Sequence, residues 1–184
     1  SDYHDEMADA LGRMEQIIDD TLTMAREGRS VVEASPVDLR ELAEECWTDV
    51  ATDAAALSVD GRMTVEGDRS RLKHVFENLF RNAVEHGSTS PDSGAPGQGG
   101  PTVTVGFTED GFYVADDGPG VPEGEADHIF ESGYSTRAEG TGFGLAIVEE
   151  IIDAHGWHIS VRRSESGGAR FEVTGVERHE AATV

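Results

Sequence analysis

A chain of 184 residues with 37 acidic and 14 basic side chains carries a formal net charge of −23, which excludes the clustered cationic surface that nucleic acid or an anionic membrane demands. The length suits one hydrophobic core with at most an extra helix; the single cysteine, Cys46, excludes an internal disulfide, and no apolar run reaches membrane-spanning length. Self-repulsion on this scale weakens a compact state in dilute salt, whereas molar salt shortens the Debye length to about 3 Å, so the composition suits a salt-accumulating, halophilic cell.

From Asp5 to Glu27, Met7, Leu11, Met14, Ile18, Thr21 and Ala25 alternate in steps of four and three. That heptad seam predicts one long amphipathic helix, and Ile17, Leu22 and Met24 widen it enough for more than one partner. Gly28 is placed to stop it. Ser35 and Pro36 then read as the N-cap and first residue of a second helix running through Leu39, Leu42, Ala43, Cys46, Trp47 and Val50. Leu57–Val59 and Met63–Glu66 read as short strands around an Asp60-Gly61 turn. Asp68 caps a long third helix whose core face is Leu72, Val75, Phe76, Leu79, Phe80, Ala83 and Val84. Asn78 and Asn82 are four apart, so they share a side of that helix and interrupt its apolar pattern, which turns that side toward a site. Residues 88–101, rich in Gly, Pro and Ser, predict a flexible surface loop.

Thr102–Thr108 and Phe112–Ala115 predict a hairpin around Glu109-Asp110-Gly111, and its second strand delivers Asp116. Two glycine clusters follow, Asp116-Asp117-Gly118-Pro119-Gly120 and Gly140-Thr141-Gly142-Phe143-Gly144; the second opens a helix that begins Leu145-Ala146-Ile147. Free N–H groups at a helix start suit a phosphate, and an acid beside the first glycines can accept from a ligand amine. This outlines a nucleotide pocket with a lid over residues 121–139, mobile between Ser132 and Ala138 without nucleotide. It is neither a P-loop, which needs Lys-Ser/Thr where Leu145-Ala146 stand, nor a dinucleotide fingerprint, which needs glycine where Leu145 stands. Trp157–Arg163 and Ala169–Val176 predict two more strands around a turn at Glu165–Gly168, after which a charged tail frays. The whole is an α+β chain with a mixed sheet of about five strands and helices on one face. His155, His158 and His179 lack metal-ligand spacing and read as ordinary.

Four stretches, in order, resemble the boxes of the GHKL ATPase superfamily, and of sensor histidine kinases in particular. Glu77-Asn78-Leu79-Phe80-Arg81-Asn82-Ala83 through Gly87 is similar to the N box, Asp116-x-Gly118-x-Gly120 to the G1 box, Ile129-Phe130-Glu131 to the F box and Gly140-Thr141-Gly142-Phe143-Gly144 to the G2 box. The likeness spans Ser35 to Val176, and Arg13 to Asp20 resembles the second helix of the family's dimerisation hairpin. It divides the chain into a partial dimerisation helix (1–28), a linker (29–34), a catalytic domain (35–176) and a tail (177–184), with a two-layer α/β sandwich of the Bergerat type.

The resemblance implies ATP and Mg²⁺ as ligands. It implies Asn82 as the Mg²⁺ ligand, with Asn78 beside it and Glu77 near the site, the three forming the catalytic set. Asp116 would accept from the adenine amino group, and Gly118 and Gly120 would let backbone approach base and sugar. Phe130 and Tyr134 would fold over the lid base, while Gly140, Thr141, Gly142, Phe143, Gly144 and Leu145 would receive the phosphates. Where the family often has lysine and an aromatic, Glu85 and His86 stand; His86 would still reach nucleotide, and Arg81 or Arg137 would supply the missing cation. The implied activity is transfer of the γ-phosphoryl group to a histidine outside this chain, His4 standing at the wrong place for it. A response-regulator receiver domain and a second copy of the chain are the implied partners. The implied setting is cytoplasmic, compatible with a membrane-associated parent. A serine kinase of the anti-sigma-factor type and a degenerate nucleotide-sensing scaffold are the alternatives; water-activating ATPases of the superfamily carry glutamate where Asn78 stands.

Overall fold

The computed structural model describes residues 2–27, 33–50, 55–87, 100–121, 124–131 and 144–179. The expected surface loop over 88–99, most of the lid, and Tyr134, Arg137, Gly140, Thr141, Gly142 and Phe143 lie outside the described residues, as does the side chain of His86.

Alternation of apolar residues builds the sheet. β2 (Ala56–Asp60), β4 (Thr102–Phe107), β5 (Phe112–Asp116), β6 (His158–Arg163) and β7 (Ala169–Thr174) stand in the order β2-β4-β5-β7-β6. β2 runs parallel to β4 and every other pair is antiparallel. Val103, Val105, Phe112, Val114, Phe171 and Val173 are buried, and a period of two places them on one face. α2 (Leu39–Val50), α3 (Arg69–Gly87) and α4 (Gly144–Ala154) form the second layer, with α3 between the other two. Phe76 lies at the centre, its ring 5.7 Å from Phe80 and 5.6 Å from Phe112. On the opposite sheet face Tyr113 lies over Gly106, where a Cβ would come within 2.2 Å of the ring, and the Arg170 guanidinium stacks 3.7 Å above Tyr113. α1 (Asp2–Glu27) packs against α4 and leaves Met7, Leu11, Met14 and Ile18 more than half exposed. The expected two-layer α+β sandwich is the fold observed.

Three local expectations are corrected. Ser35 and Pro36 do not start a helix; Ser35–Asp38 is β1, antiparallel to β3 (Thr64–Gly67). Proline is tolerated on such an edge, and the helix cap is Asp38, whose Oδ1 accepts from the N–H groups of Arg40 (3.0 Å) and Glu41 (3.2 Å). The turn at Asp60-Gly61 is present, with Gly61 at φ 94°, but its flanks do not pair as a hairpin. β2 joins the main sheet and β3 joins β1, and the Arg40 guanidinium donates to Val59 O and Gly61 O between them. The tail is also held rather than frayed as far as His179. Glu66 N–H donates to Glu177 O and His179 N–H to Thr64 O, so residues 177–179 flank the small sheet.

Asp68 caps α3 as expected, its side chain accepting from Arg71 N–H. Its own N–H donates to His155 Nε2 at 3.0 Å, while His155 Nδ1 lies 2.8 Å from Ile151 O. A carbonyl can only accept, so Nδ1 carries the proton and Nε2 is bare. His155 therefore ties the end of α4 to the start of α3 as a neutral ring, stacked 4.6 Å from Trp157. Burial holds its pKa below the ordinary 6.5, outweighing the Ile151 carbonyl and Asp68, which favour the charged ring. As pH falls below 6.5 the unfolded chain takes the proton first, so this contribution is complete above that value and lost beneath it. As pH falls through and below 6.5 the wild type is expected to lose more stability than His155→Gln in urea melts. Equal losses would remove the histidine from that role.

Candidate functional site

Where β5 runs out of ladder partners the chain carries two successive carboxylates, and the neighbouring strands hold one each. Asp117 Oδ1 accepts from Thr102 N–H at 2.9 Å, at the start of β4. Asp116 points the other way and is 8% exposed; its Oδ1 accepts from Gly118 N–H (3.0 Å) and Ala169 N–H (3.2 Å). Burial raises the Asp116 pKa above the ordinary carboxylate value, the two N–H donors pull it back, and Asp117 adds to the rise. A buried acid set among backbone donors at a strand end is a fixed hydrogen-bond acceptor.

The turn between β6 and β7 lies directly over it. A Cβ on Gly168 would stand 2.2 Å from Asp116 O and 2.3 Å from its Oδ1, so a side chain is excluded there. Gly120 has φ +78°, and a Cβ there would come within 3.0 Å of Gly167 O. Gly118 and Gly120 thus lie beside Asp116, Gly118 through its N–H and Gly120 against this turn.

The N-box residues divide. Asn78 is 9% exposed, donates from Nδ2 to His74 O at 2.8 Å, and turns Oδ1 toward Gly144, where a Cβ would come within 3.1 Å. Arg81 Nη1 lies 3.5 Å from the same Oδ1. Asn78, Arg81 and the first residue of α4 therefore meet, and Asn82 is half-buried one turn further along α3. Glu77 sits elsewhere on the helix, 3.8 Å from both Lys73 and His74; Lys73 in turn reaches Asp49 of α2 at 3.9 Å. The structure does not bring Glu77 to the Asn78 cluster.

Phe130 packs edge-on against Phe171 at 6.2 Å, and Ile129 beside it is buried. The F-box turn is thereby anchored on β7, the strand whose first residue holds Asp116. Leu145 packs against the core at the start of α4. Sequence reasoning missed Asp117, Ser164, Gly168 and Ala169. The Gly167-Gly168 doublet was the available signal, read as a plain turn because nothing in the local sequence shows what the turn covers.

Comparison with known proteins gives this arrangement a lineage. A family model described as "Histidine kinase-, DNA gyrase B-, and HSP90-like ATPase" (HATPase_c) matches residues 67–177. The chain is 34% identical over 176 residues to the sensor protein CutS of Streptomyces coelicolor, covering 88% of this chain and 41% of CutS. It is 31% identical over 176 residues to the sensor histidine kinase ZraS of Escherichia coli K12, covering 90% of this chain and 35% of ZraS. It thus spans between about a third and two fifths of the curated relatives it matches. Among solved structures, the mycobacterial sensor histidine kinase MprB superposes with a TM-score of 0.65 at 25% identity, covering 79% of this chain and 97% of that one. Full-length ShkA in complex with AMPPNP gives 0.69 at 27% identity, covering 96% of this chain and 38% of that one. The relatives it matches are sensor proteins and sensor histidine kinases, and the chain belongs to the histidine kinase-, DNA gyrase B- and HSP90-like ATPase family.

Proposed function

We propose that this chain binds Mg-ATP and transfers the γ-phosphoryl group to a histidine on a partner helix of the dimerisation hairpin, from which a response-regulator aspartate takes it. The observation that carries the reading is Asp116, a buried carboxylate whose Oδ1 is fixed by two backbone donors at the mouth of the glycine-rich turn. An acceptor held in this way selects a base with an amino group, as adenine has. The residues present fit the nucleotide: the bare glycines at 120 and 168 let the β6–β7 turn close on Asp116 and fix its carboxylate, and Arg81 brings a cation beside Asn78 at the start of α4.

In this reading Asn82 gives a carboxamide oxygen to Mg²⁺, a hard cation that takes its other oxygens from phosphates and water. When bound, the ion supplies charge neutralisation at the phosphates. Asn78 orients the N-terminus of α4, Arg81 or Arg137 supplies the cation that the family lysine would have given, and His86 contacts the nucleotide. Gly140, Thr141, Gly142, Phe143, Gly144 and Leu145 receive the phosphates at the helix start, and Phe130 with Tyr134 closes the lid. Catalysis then rests on position and charge, as phosphoryl transfer generally does. The position of Glu77, paired with Lys73 and His74, favours a supporting role for it. Residues 35–176 form the catalytic domain; α1 is a hairpin helix whose exposed Met7, Leu11, Met14 and Ile18 pair with a second copy. No helix among the described residues is long and apolar enough to cross a membrane, which accords with a cytoplasmic segment. The charge of −23 is an adaptation to high salt.

Calorimetric titration in molar KCl tests this. ATP is expected to bind with Mg²⁺ and to lose about tenfold in affinity when EDTA removes the ion. The same titration in dilute buffer should give weaker binding from a less folded chain. ATP affinity indifferent to EDTA contradicts the Asn82 assignment, and equal affinity and melting temperature in both salts contradicts the halophilic one.

A further inference from the structure

The adenine-pocket reading leaves one element without a task, the turn from Ser164 to Gly168. The β5–β7 ladder ends at the pair Ala115 and Arg170, so the Asp116 carbonyl lies beyond it. Ser164 Oγ donates to that carbonyl at 2.7 Å, Ser166 Oγ stands 3.3 Å from it, and the two hydroxyls are 3.2 Å apart. Ser164 is 8% exposed, so its hydroxyl bond is shielded from competing water. The turn is closed on itself by Ser164 N–H to Gly168 O at 2.7 Å and Gly167 N–H to Ser164 O at 3.0 Å. Its far end supplies Ala169 N–H to the carboxylate at 3.2 Å. One turn therefore grips both the main chain and the side chain of Asp116.

We infer that Ser164, assisted by Ser166, is a positioning residue that sets the preference for adenine over guanine by fixing the Asp116 backbone and hence the direction of its carboxylate. The inference rests on the reading of Asp116 as the adenine acceptor. Adenine presents an amino donor where guanine presents a carbonyl acceptor. A fixed carboxylate gains from the first and is repelled by the second, whereas a carboxylate free to turn away discriminates less. The hydroxyls never touch the base; they act through Asp116.

The test is titration of Mg-ATP and Mg-GTP into the wild type, the Ser164→Ala/Ser166→Ala double variant and Ser164→Thr. The double variant is expected to lose about tenfold in ATP affinity with GTP affinity unchanged, so the ATP-to-GTP ratio falls by about that factor. Ser164→Thr keeps the hydroxyl and should stay within about twofold of wild type. A double variant with the wild-type ratio, or one that loses both nucleotides equally, overturns the inference. Should the double variant not fold, Ser166→Ala carries the test, since its hydroxyl lies on the exposed rim. A fall of roughly threefold in the ratio is then expected, and an unchanged ratio overturns the inference. Wild-type protein that binds neither nucleotide overturns the adenine pocket itself; wild type that discriminates beside variants that discriminate equally well overturns the role of the turn alone.

Discussion

Asp116→Asn is expected to bind ATP about 100-fold more weakly than the wild type while melting at the same temperature or slightly higher. The replacement keeps shape and volume, and its Oδ1 can still accept from Gly118 and Ala169 N–H. Its other terminal group becomes an amide donor. Set against the adenine amino group, donor then meets donor, and a charge-assisted bond is exchanged for an unmet one. The stability expectation follows from linkage. Burial raises the folded carboxyl pKa above 3.8, with Asp117 adding to the rise and two backbone bonds opposing it. The folded state thus holds that proton more tightly than the unfolded one. Stability falls as pH climbs through the raised pKa, and at neutral pH the charge is a net cost that asparagine removes. Calorimetric titration beside a thermal melt separates the two effects. An asparagine variant that binds ATP as wild type does would contradict the acceptor role, and a variant that melts far lower would make Asp116 a structural acid.

Phe76→Ala should destabilise the domain by about 3–5 kcal/mol. The side chain is fully buried where α3 meets the sheet, in ring contact with Phe80 and Phe112. Its neighbours belong to different elements and cannot collapse together into the space it leaves. A domain of this size has roughly 5–15 kcal/mol in hand, and each kcal/mol moves the midpoint by about 2–4 °C. A fall of roughly 6–20 °C in molar salt is therefore expected, with ATP affinity little changed in the fraction that stays folded. A fall of under about 3 °C would mean that the core is not organised around this ring.

Helix faces and strand alternation were legible because each depends on local spacing. Asp68 was readable as a cap, and the glycine clusters located Asp116 and the start of α4. Partner choice was not readable. β2 and β3 flank a genuine turn at Gly61, yet β2 pairs with β4 across the whole of α3, and β3 pairs with a strand that precedes it. Ser35-Pro36 carries the same local signal as a helix start, and burial of Val37 against β3 decided for a strand. In the site, the four-residue spacing of Asn78 and Asn82 fixed their shared side of α3. Glu77 is one residue away but about 100° round the helix, so it belongs to the Lys73 side. The hold on Asp116 was invisible because Ser164 and Ala169 lie some fifty residues downstream and meet it only through the β5–β7 pairing.

The measurement that bears most directly on the proposed function is phosphoryl transfer. The chain would be incubated in molar KCl with Mg-ATP labelled at the γ position and a separately supplied helical hairpin carrying the family's histidine. The expected result is label on the hairpin that is lost in acid and kept in base, as a phosphohistidine behaves, and that disappears with Asp116→Asn. Acid-stable label would point to a serine kinase. An unlabelled hairpin beside a chain that binds Mg-ATP would contradict the kinase reading and leave a nucleotide-sensing scaffold.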